Sequence, residues 1–239
     1  MNGKQIQEAK QAIRERIWML LEKERAVNAN PEGRIPAFVG ADAAAALLAA
    51  HPSWQSANVI KAVPDRAQMP VRARAFEEGK RVYMAASKLA AQKPFYLLDP
   101  ETLAISPREA AERHTAARYA RPVDLDEMPH VDLVVCGSVA VNYRGVRLGK
   151  GAGYSDIEVA LLHEAGLIGS STLIATTVHE LQVVDEELPE AGHDFRVDLI
   201  ITQDRVIECS PYRRPPGIMW ESLTPEAIEA IPVLASRRP

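Results

Sequence analysis

The chain is poor in cysteine, in aromatic residues and in long apolar runs. It has 239 residues, of which two are cysteine and 5% are aromatic. Cys136 and Cys209 have no metal-site or redox-motif neighbours, so we expect both thiols to be reduced and structural. No apolar run reaches the ~18 to 20 residues of a membrane span, and the charged N-terminal stretch lacks the apolar core of a signal peptide. We therefore expect a cytoplasmic protein that does not act at a membrane.

Neither positive nor negative charge is in large excess. The formal net charge is −4 and the isoelectric point is about 5.9, which argues against nucleic-acid binding through bulk electrostatics. A local basic pocket remains compatible with this balance, so we expect a small-molecule substrate as the partner. The oligomeric state is left open.

No internal repeat or low-complexity break divides the chain. Short β-branched apolar runs alternate with helical patterns across residues 58–208, as in an α/β fold with a mostly parallel sheet and helices on both faces. We expect one such domain over residues 1–210. The remaining residues, 211–239, include six prolines and are expected to form an extension packed on or beside the domain.

Residues 141–157 concentrate glycine and positive charge between a predicted strand and a helix predicted over 156–165. Five of them suit an anion site: Gly149, Gly151, Gly153, Arg147 and Lys150. Glycines let backbone N–H groups approach an anion closely, and the helix dipole favours negative charge at the same place. The spacing matches neither general nucleotide motif. A glycine-rich turn at a sheet edge is therefore the alternative.

A helix predicted over residues 4–27 carries Lys10 and Arg14 one turn apart. Like charges at this spacing repel each other on an isolated helix. An anion between the two side chains would explain the pair, whereas the other charged residues of this helix are expected to be solvated.

Between Arg144 and Asp156 the motif G-x-R-L-G-K-G-x-G-Y-x-D resembles the signature of the 5-formyltetrahydrofolate cyclo-ligase family, also called methenyltetrahydrofolate synthetases. His193-Asp194, the strand that follows, and the Lys10/Arg14 pair resemble two further motifs of that family. The resemblance implies a cyclo-ligase fold of the sugar-isomerase and CoA-transferase type that binds ATP and Mg²⁺. In that family ATP phosphorylates the formyl oxygen of 5-formyltetrahydrofolate, and a ring nitrogen then displaces phosphate to close the methenyl bridge.

The resemblance also implies roles for individual residues. Phosphoryl transfer needs positioned phosphates, neutralised charge and a metal, and Lys150 and Arg147 are expected to be catalytic. Asp156 and Asp194 are expected to hold Mg²⁺, although Asp156 also suits a helix N-cap and Asp194 a turn. The residues expected to bind ATP are Lys10, Arg14, Gly149, Lys150, Gly151, Ala152, Gly153, Tyr154 and Asp156.

The acceptor half of the site departs from the family. Asp65 and Gln68 stand where the family usually has the glutamate and threonine of Glu-Val-x-Thr, and Ser155 replaces the second tyrosine of Gly-Tyr-Tyr-Asp. We expect Asp65, Gln68, Tyr154 and His179 to bind the substrate, although His179 also suits a structural role. The aromatic candidates for stacking on a pterin are Tyr83, Phe95, Tyr143, Tyr154 and Trp220.

These observations predict an ATP- and Mg²⁺-dependent ligase or cyclo-ligase that phosphorylates 5-formyltetrahydrofolate or a related formyl or carboxyl compound. Three alternatives stay open. The first is an ATP-dependent enzyme with a non-folate substrate. The second is a non-catalytic nucleotide- or metabolite-binding protein that acts through a partner bound by the proline-rich extension. The third is a sugar-phosphate isomerase that needs no ATP.

Overall fold

The computed structural model describes residues 2–210 and 213–238. The helices are α1 (Gly3–Lys23), α2 (Ala41–Ala50), α3 (Pro52–Ser56), α4 (Met69–Glu77), α5 (Pro107–Ala111), α6 (Arg113–Tyr119), α7 (Tyr154–Glu164), α8 (Pro225–Glu229) and α9 (Pro232–Ala235). The strands are β1 (Val59–Ala62), β2 (Arg81–Ala85), β3 (Phe95–Leu98), β4 (Arg121–Val123), β5 (Leu133–Cys136), β6 (Ala140–Asn142), β7 (Arg147–Leu148), β8 (Leu173–Thr177), β9 (Val183–Val184), β10 (Leu199–Ile201) and β11 (Val206–Glu208).

Among the described residues, eight strands form the central sheet in the order β11-β10-β8-β5-β1-β2-β3-β4. The run from β10 to β2 is parallel, and antiparallel strands extend both edges. The order reverses direction around β1 and β5, which is where open α/β sheets place their ligands. The predicted α/β fold with a mostly parallel sheet is therefore confirmed.

The central sheet is covered on both faces, and β5 shows why its sequence reads as a continuous apolar run. Leu133 and Val135 belong to one buried cluster, which includes side chains of α1, α2 and α4, whereas Val134 and Cys136 belong to a second cluster around α7. Successive strand residues point to opposite faces, so a strand covered on both sides has to be apolar throughout.

A second, smaller sheet has the order β7-β6-β9. Its β6–β7 hairpin delivers the glycine-rich segment directly into the N-terminus of α7. The strand, glycine loop and helix expected from the sequence are thus present, with the loop leaving the small sheet and not the central one.

Helix α1 ends four residues earlier than predicted. Arg25 has a left-handed backbone, with φ of 55°, and Val27 forms an isolated bridge to Phe38. Tertiary pairing therefore takes over the last predicted turn. In the described ranges, no helix is long and apolar enough to span a bilayer.

Residues 213–238 lie against α7. Ile228, Ile231 and Leu234 are buried in the same cluster as Leu161. The Arg214 guanidinium pairs with the Asp198 carboxylate and also donates to the Arg196 carbonyl at 2.6 Å. These contacts join the C-terminal segment to the central sheet.

Candidate active site

A cleft of about 790 Å³, open to solvent, lies between the glycine loop, α1 and the ends of β1 and β2. Most of the predicted site residues meet there: Lys10, Arg14, Asp65, Arg147, Gly149, Lys150, Gly151, Ala152, Gly153, Tyr154, Asp156 and Asp194. They come from four separate parts of the chain. The cleft is therefore a product of the tertiary fold and not of one motif.

Helix α1 contributes its basic pair from a buried position. Lys10 and Arg14 continue the buried stripe of Ile17 and Leu21, so both cations point into the protein. The Arg14 Nε donates to the Gly149 carbonyl at 2.7 Å. Burial and the nearby Arg147 charge lower the pKa of Arg14. Because the Arg14 and Arg147 charges repel each other, the arrangement suits an anionic ligand.

The glycine loop passes close to these guanidinium groups. A Cβ at Gly149 would lie 2.6 Å from Nη2 of Arg147, and Gly151 has a left-handed backbone with φ of 101°. Gly153, with φ of 72°, is the N-cap of α7 and provides no side-chain cap. Side chains at Gly149 and Gly151 would therefore crowd or strain the segment that faces the cations.

Asp156 is the third residue of α7, so the alternative of an Asp156 N-cap is wrong. Its Oδ1 instead lies 3.2 Å from Nη1 of Arg147. Burial raises the pKa of Asp156, and Asp194 adds to the increase, while Arg147 opposes it.

Arg147 is buried and stacks over the Phe195 ring, with 4.6 Å between Cζ and the ring centroid. Its Nε is buried without a hydrogen-bond partner in the part of the chain that the structure describes. An unsatisfied buried donor of a fixed cation is well suited to an anion acceptor.

Asp194 combines two roles. Its Oδ2 accepts from the Ala191 N–H at 2.6 Å, as a turn-closing aspartate does, and lies 2.5 Å from Nζ of Lys10. Among the described residues, no group of three or more acidic, histidine or cysteine side chains is placed to hold a metal. Because Mg²⁺ is usually bound by one or two carboxylates together with phosphates and water, Asp156 and Asp194 fit Mg²⁺ bound with a phosphate.

Two predicted substrate residues lie elsewhere. Gln68 is fully buried, and its Nε2 donates to the carbonyl and hydroxyl of Thr177. His179 caps a short 3₁₀ helix through Nδ1, which accepts from the Leu181 N–H at 3.2 Å, and its ring contacts Phe38 edge-on. Neither residue lines the cleft. Their side chains are therefore held by the scaffold in this structure, and their contact with a substrate stays a prediction.

Asp65 does face the cleft, where its Oδ1 lies 3.5 Å from Nζ of Lys150. The aromatic residues considered for stacking on a pterin lie in different parts of the structure. Tyr83 and Phe95 are in the core, Tyr143 is exposed beside Arg205, and Tyr154 lines the cleft. Trp220 belongs to the C-terminal segment and packs, partly buried, against the cluster around α7.

Sequence reasoning missed a buried ion pair below the cleft. Lys61, in the middle of β1, pairs with Glu158 of α7, and Glu158 lines the cleft floor. Burial raises the pKa of Glu158, and the Lys61 charge opposes the increase. The available signal was a lysine at the centre of an apolar strand, which requires a partner when both faces of the sheet are covered.

The fold and the cleft define an α/β protein with a basic, glycine-lined cradle at the carboxyl ends of parallel strands. The chain belongs to the 5-formyltetrahydrofolate cyclo-ligase family, whose sequence model matches residues 6–203. The resemblance expected from the sequence motifs is confirmed.

Relatives and a solved structure agree with this assignment. The chain is 38% identical over 238 residues to a mouse methenyltetrahydrofolate synthase domain-containing protein, and 35% identical over 245 residues to the human one. The matches cover 96% and 100% of this chain, but the chain spans only 63% of either relative. The NMR structure of Aquifex aeolicus 5,10-methenyltetrahydrofolate synthetase superposes with a TM-score of 0.54 at 20% identity, covering 85% of this chain and 94% of that one. That likeness shows the shared fold.

Proposed function

We propose that this protein is an ATP- and Mg²⁺-dependent cyclo-ligase that phosphorylates 5-formyltetrahydrofolate or a related formyl or carboxyl compound. One observation carries the proposal: five basic side chains, Lys10, Arg14, Lys88, Arg147 and Lys150, line one cleft together with the glycine loop. A triphosphate is the ligand class that needs this density of cations and backbone donors. The names of the curated relatives, methenyltetrahydrofolate synthase domain-containing proteins, support the folate part of the proposal.

The basic residues differ in how firmly the structure holds them, and we assign their roles accordingly. Arg147, fixed by Asp156 and Phe195, presents a preorganised planar cation to the phosphates. Lys150 is 39% exposed and is free to follow the phosphoryl group as negative charge moves toward the leaving oxygen. Mg²⁺, held by Asp156 and Asp194, would neutralise phosphate charge.

Asp65 marks the acceptor end of the cleft. It follows β1, opposite Lys150, and a carboxylate there suits hydrogen-bond donors of a pterin or another acceptor. Replacing it should therefore raise KM for the acceptor and leave ATP affinity nearly unchanged. Asp65→Asn is the smallest test of this assignment.

A second candidate, an ATP-dependent enzyme with a non-folate acceptor, is favoured by the scarcity of aromatic surface. Among the described residues, Tyr154 is the one phenylalanine, tyrosine or tryptophan that lines the cleft. A pterin usually gains affinity from stacking on such rings. A smaller formyl or carboxyl compound does not need them.

Calorimetric titration with ATP and Mg²⁺ tests the proposal first. Wild type should bind ATP, Lys150→Ala should bind it at least about tenfold more weakly, a loss of about 1.4 kcal/mol, and Lys4→Ala, at an exposed site outside the cleft, should match wild type. Absence of ATP binding by wild type refutes the proposal.

The acceptor is tested by the near-ultraviolet absorbance of methenyltetrahydrofolate, measured together with phosphate release. Formation of the product with stoichiometric phosphate supports the folate assignment. ATP turnover with another acceptor and no methenyl product supports the second candidate.

A further inference from the structure

A second cavity, of about 1100 Å³ and open to solvent, adjoins the cleft described above, which we call the phosphate cleft. One wall is α7, through Ile157 and Ala160, and the glycine loop from Gly151 to Tyr154 lines both spaces. The opposite wall belongs to residues 217–231, which we call the C-terminal wall. Its apolar lining side chains are Ile218, Met219, Leu223, Ala227 and Ile231.

The C-terminal wall is held in place by specific contacts. The Ile218 N–H donates to Oε2 of Glu164 at 3.1 Å, and Nδ1 of His163 lies 3.2 Å from the Pro216 carbonyl. Ile228 and Ile231 are buried against the α7 cluster. The wall is therefore part of the folded protein, although it lies beyond the 6–203 range that the family model matches.

Because the glycine loop lines both spaces, it fixes how a ligand bound to the loop would be oriented. Asp65 and Lys88, which follow β1 and β2, line the phosphate cleft but not the apolar cavity, whereas Gly151 to Tyr154 line both spaces. A ligand with its phosphates on the loop would place its transferable end toward Asp65. Its remaining part would enter the apolar cavity.

The lining of the cavity suits a flat heterocycle. Apolar side chains dominate the lining, and a few polar residues, including Ser222, Thr224 and His193, also belong to it. Small-molecule pockets typically combine an apolar lining with a few orienting polar groups.

We propose that the C-terminal wall forms the nucleobase subsite for ATP, with the adenine ring between α7 and residues 217–231. This inference rests on the proposed ATP binding. It gives the C-terminal extension a role in binding ATP and not in recruiting a partner protein.

The test separates the base from the phosphates by calorimetric titration of the full chain with MgATP and with inorganic triphosphate plus Mg²⁺. Ala227→Trp fills the cavity, and Met219→Asp places a charge in its lining. Ala235→Trp is the control for Ala227→Trp, because it makes the same substitution at an exposed position outside the cavity. Circular dichroism and thermal melting confirm that each variant is folded.

We expect both cavity variants to weaken MgATP binding at least about tenfold, equivalent to about 1.4 kcal/mol, without changing triphosphate affinity. Ala235→Trp should bind both ligands like wild type. Lys150→Ala should weaken both, because it acts on the phosphates.

Three results with the variants overturn the subsite: unchanged MgATP affinity in both folded cavity variants, equal loss of MgATP and triphosphate in both, or, in a parallel titration with 5-formyltetrahydrofolate, weaker binding of that compound alone. The last result would assign the cavity to the acceptor. Wild type that binds triphosphate as tightly as MgATP also overturns the subsite while leaving the phosphate cradle intact. Wild type that binds neither ligand refutes the proposed function itself.

Discussion

Lys10 and Asp194 form a buried ion pair across 184 positions of sequence, with 2.5 Å between Nζ and Oδ2. The pair connects α1 to the loop that precedes Phe195, and both residues line the cleft beside the glycine loop. The same contact therefore contributes to the fold and positions a cation and a carboxylate for a ligand.

Breaking this pair from one side should be strongly destabilising. Lys10→Met leaves the buried Asp194 carboxylate with the Ala191 N–H and the more distant His193 ring as neighbours, and removing one partner of a buried ion pair costs about 3 to 5 kcal/mol. The double variant Lys10→Met/Asp194→Asn should lose much less than the sum of the single losses. Denaturant unfolding of the four proteins measures the coupling.

The exposed pair of Lys4 and Glu8, 3.7 Å apart on the same helix, is the matched control. Lys4→Met should change the free energy of unfolding by less than about 0.5 kcal/mol. Additive losses at Lys10 and Asp194 would contradict the buried coupling.

Gly149→Ala should weaken ATP binding through Arg147. The added Cβ would lie 2.6 Å from Nη2 of Arg147, so the guanidinium has to move away from Asp156 and from the phosphates. We expect about a tenfold loss of ATP affinity together with a loss of stability, because the displaced guanidinium is buried and held by Asp156 and Phe195. Calorimetric titration measures the affinity.

Gly3→Ala serves as the control, since a Cβ at Gly3 meets nothing within 4 Å. It should leave ATP affinity unchanged. Wild-type affinity in Gly149→Ala would mean that the position of Arg147 is not important for binding.

The pH dependence of stability should reveal the buried Asp156 carboxylate. Its pKa is raised above the ordinary 3.8 by burial, so the folded protein binds this proton more tightly than the unfolded chain does. The contribution of Asp156 to the free energy of unfolding therefore falls as the pH rises from 3.8 through the raised pKa. Across that interval, wild type should lose stability relative to Asp156→Asn.

Glu127 provides a comparison of opposite sign. Hydrogen bonds, first from Lys93, lower the pKa of Glu127 from 4.5 to about 2. Its stabilising effect is present above pH 4.5 and is lost as the pH falls through about 2. Relative to Glu127→Gln, wild type should thus gain stability as the pH rises, and parallel curves for either variant would contradict its pKa shift.

Both thiols should react slowly in the folded protein. Cys136 is buried, and burial raises its pKa, while burial followed by Asp198 raises the pKa of Cys209 to about 11. At pH 8 only about one Cys209 in a thousand would be the reactive thiolate. Ellman's reagent should therefore titrate two thiols promptly in denaturant and slowly without it. A fast reaction in the native state would contradict the structural role expected for these cysteines.

The sequence predicted the features that depend on neighbouring residues. Apolar runs such as that of β5 indicate strands covered on both faces. The glycines from Gly149 to Gly153 predicted a backbone that comes close to charged groups. The family motifs were likewise recognisable from short runs of neighbouring residues. These patterns sufficed for the α/β fold, the family and the basic cradle.

Only the tertiary structure decided where individual side chains point. Gln68 and His179 occupy sequence positions expected for substrate contacts, yet packing against Thr177 and Phe38 holds them outside the cleft. The pairing of Lys61 with Glu158 likewise joins residues 97 positions apart. Sequence neighbours do not encode such contacts, because they depend on which helix covers which strand.

The same reason explains the C-terminal segment. Its prolines suggested an extension packed on or beside the domain, but composition does not specify the surface that it meets. Contacts of Ile218 and Ile228 with α7 place it next to the glycine loop. Local sequence thus determined the cradle, whereas long-range packing determined the cavity beside it.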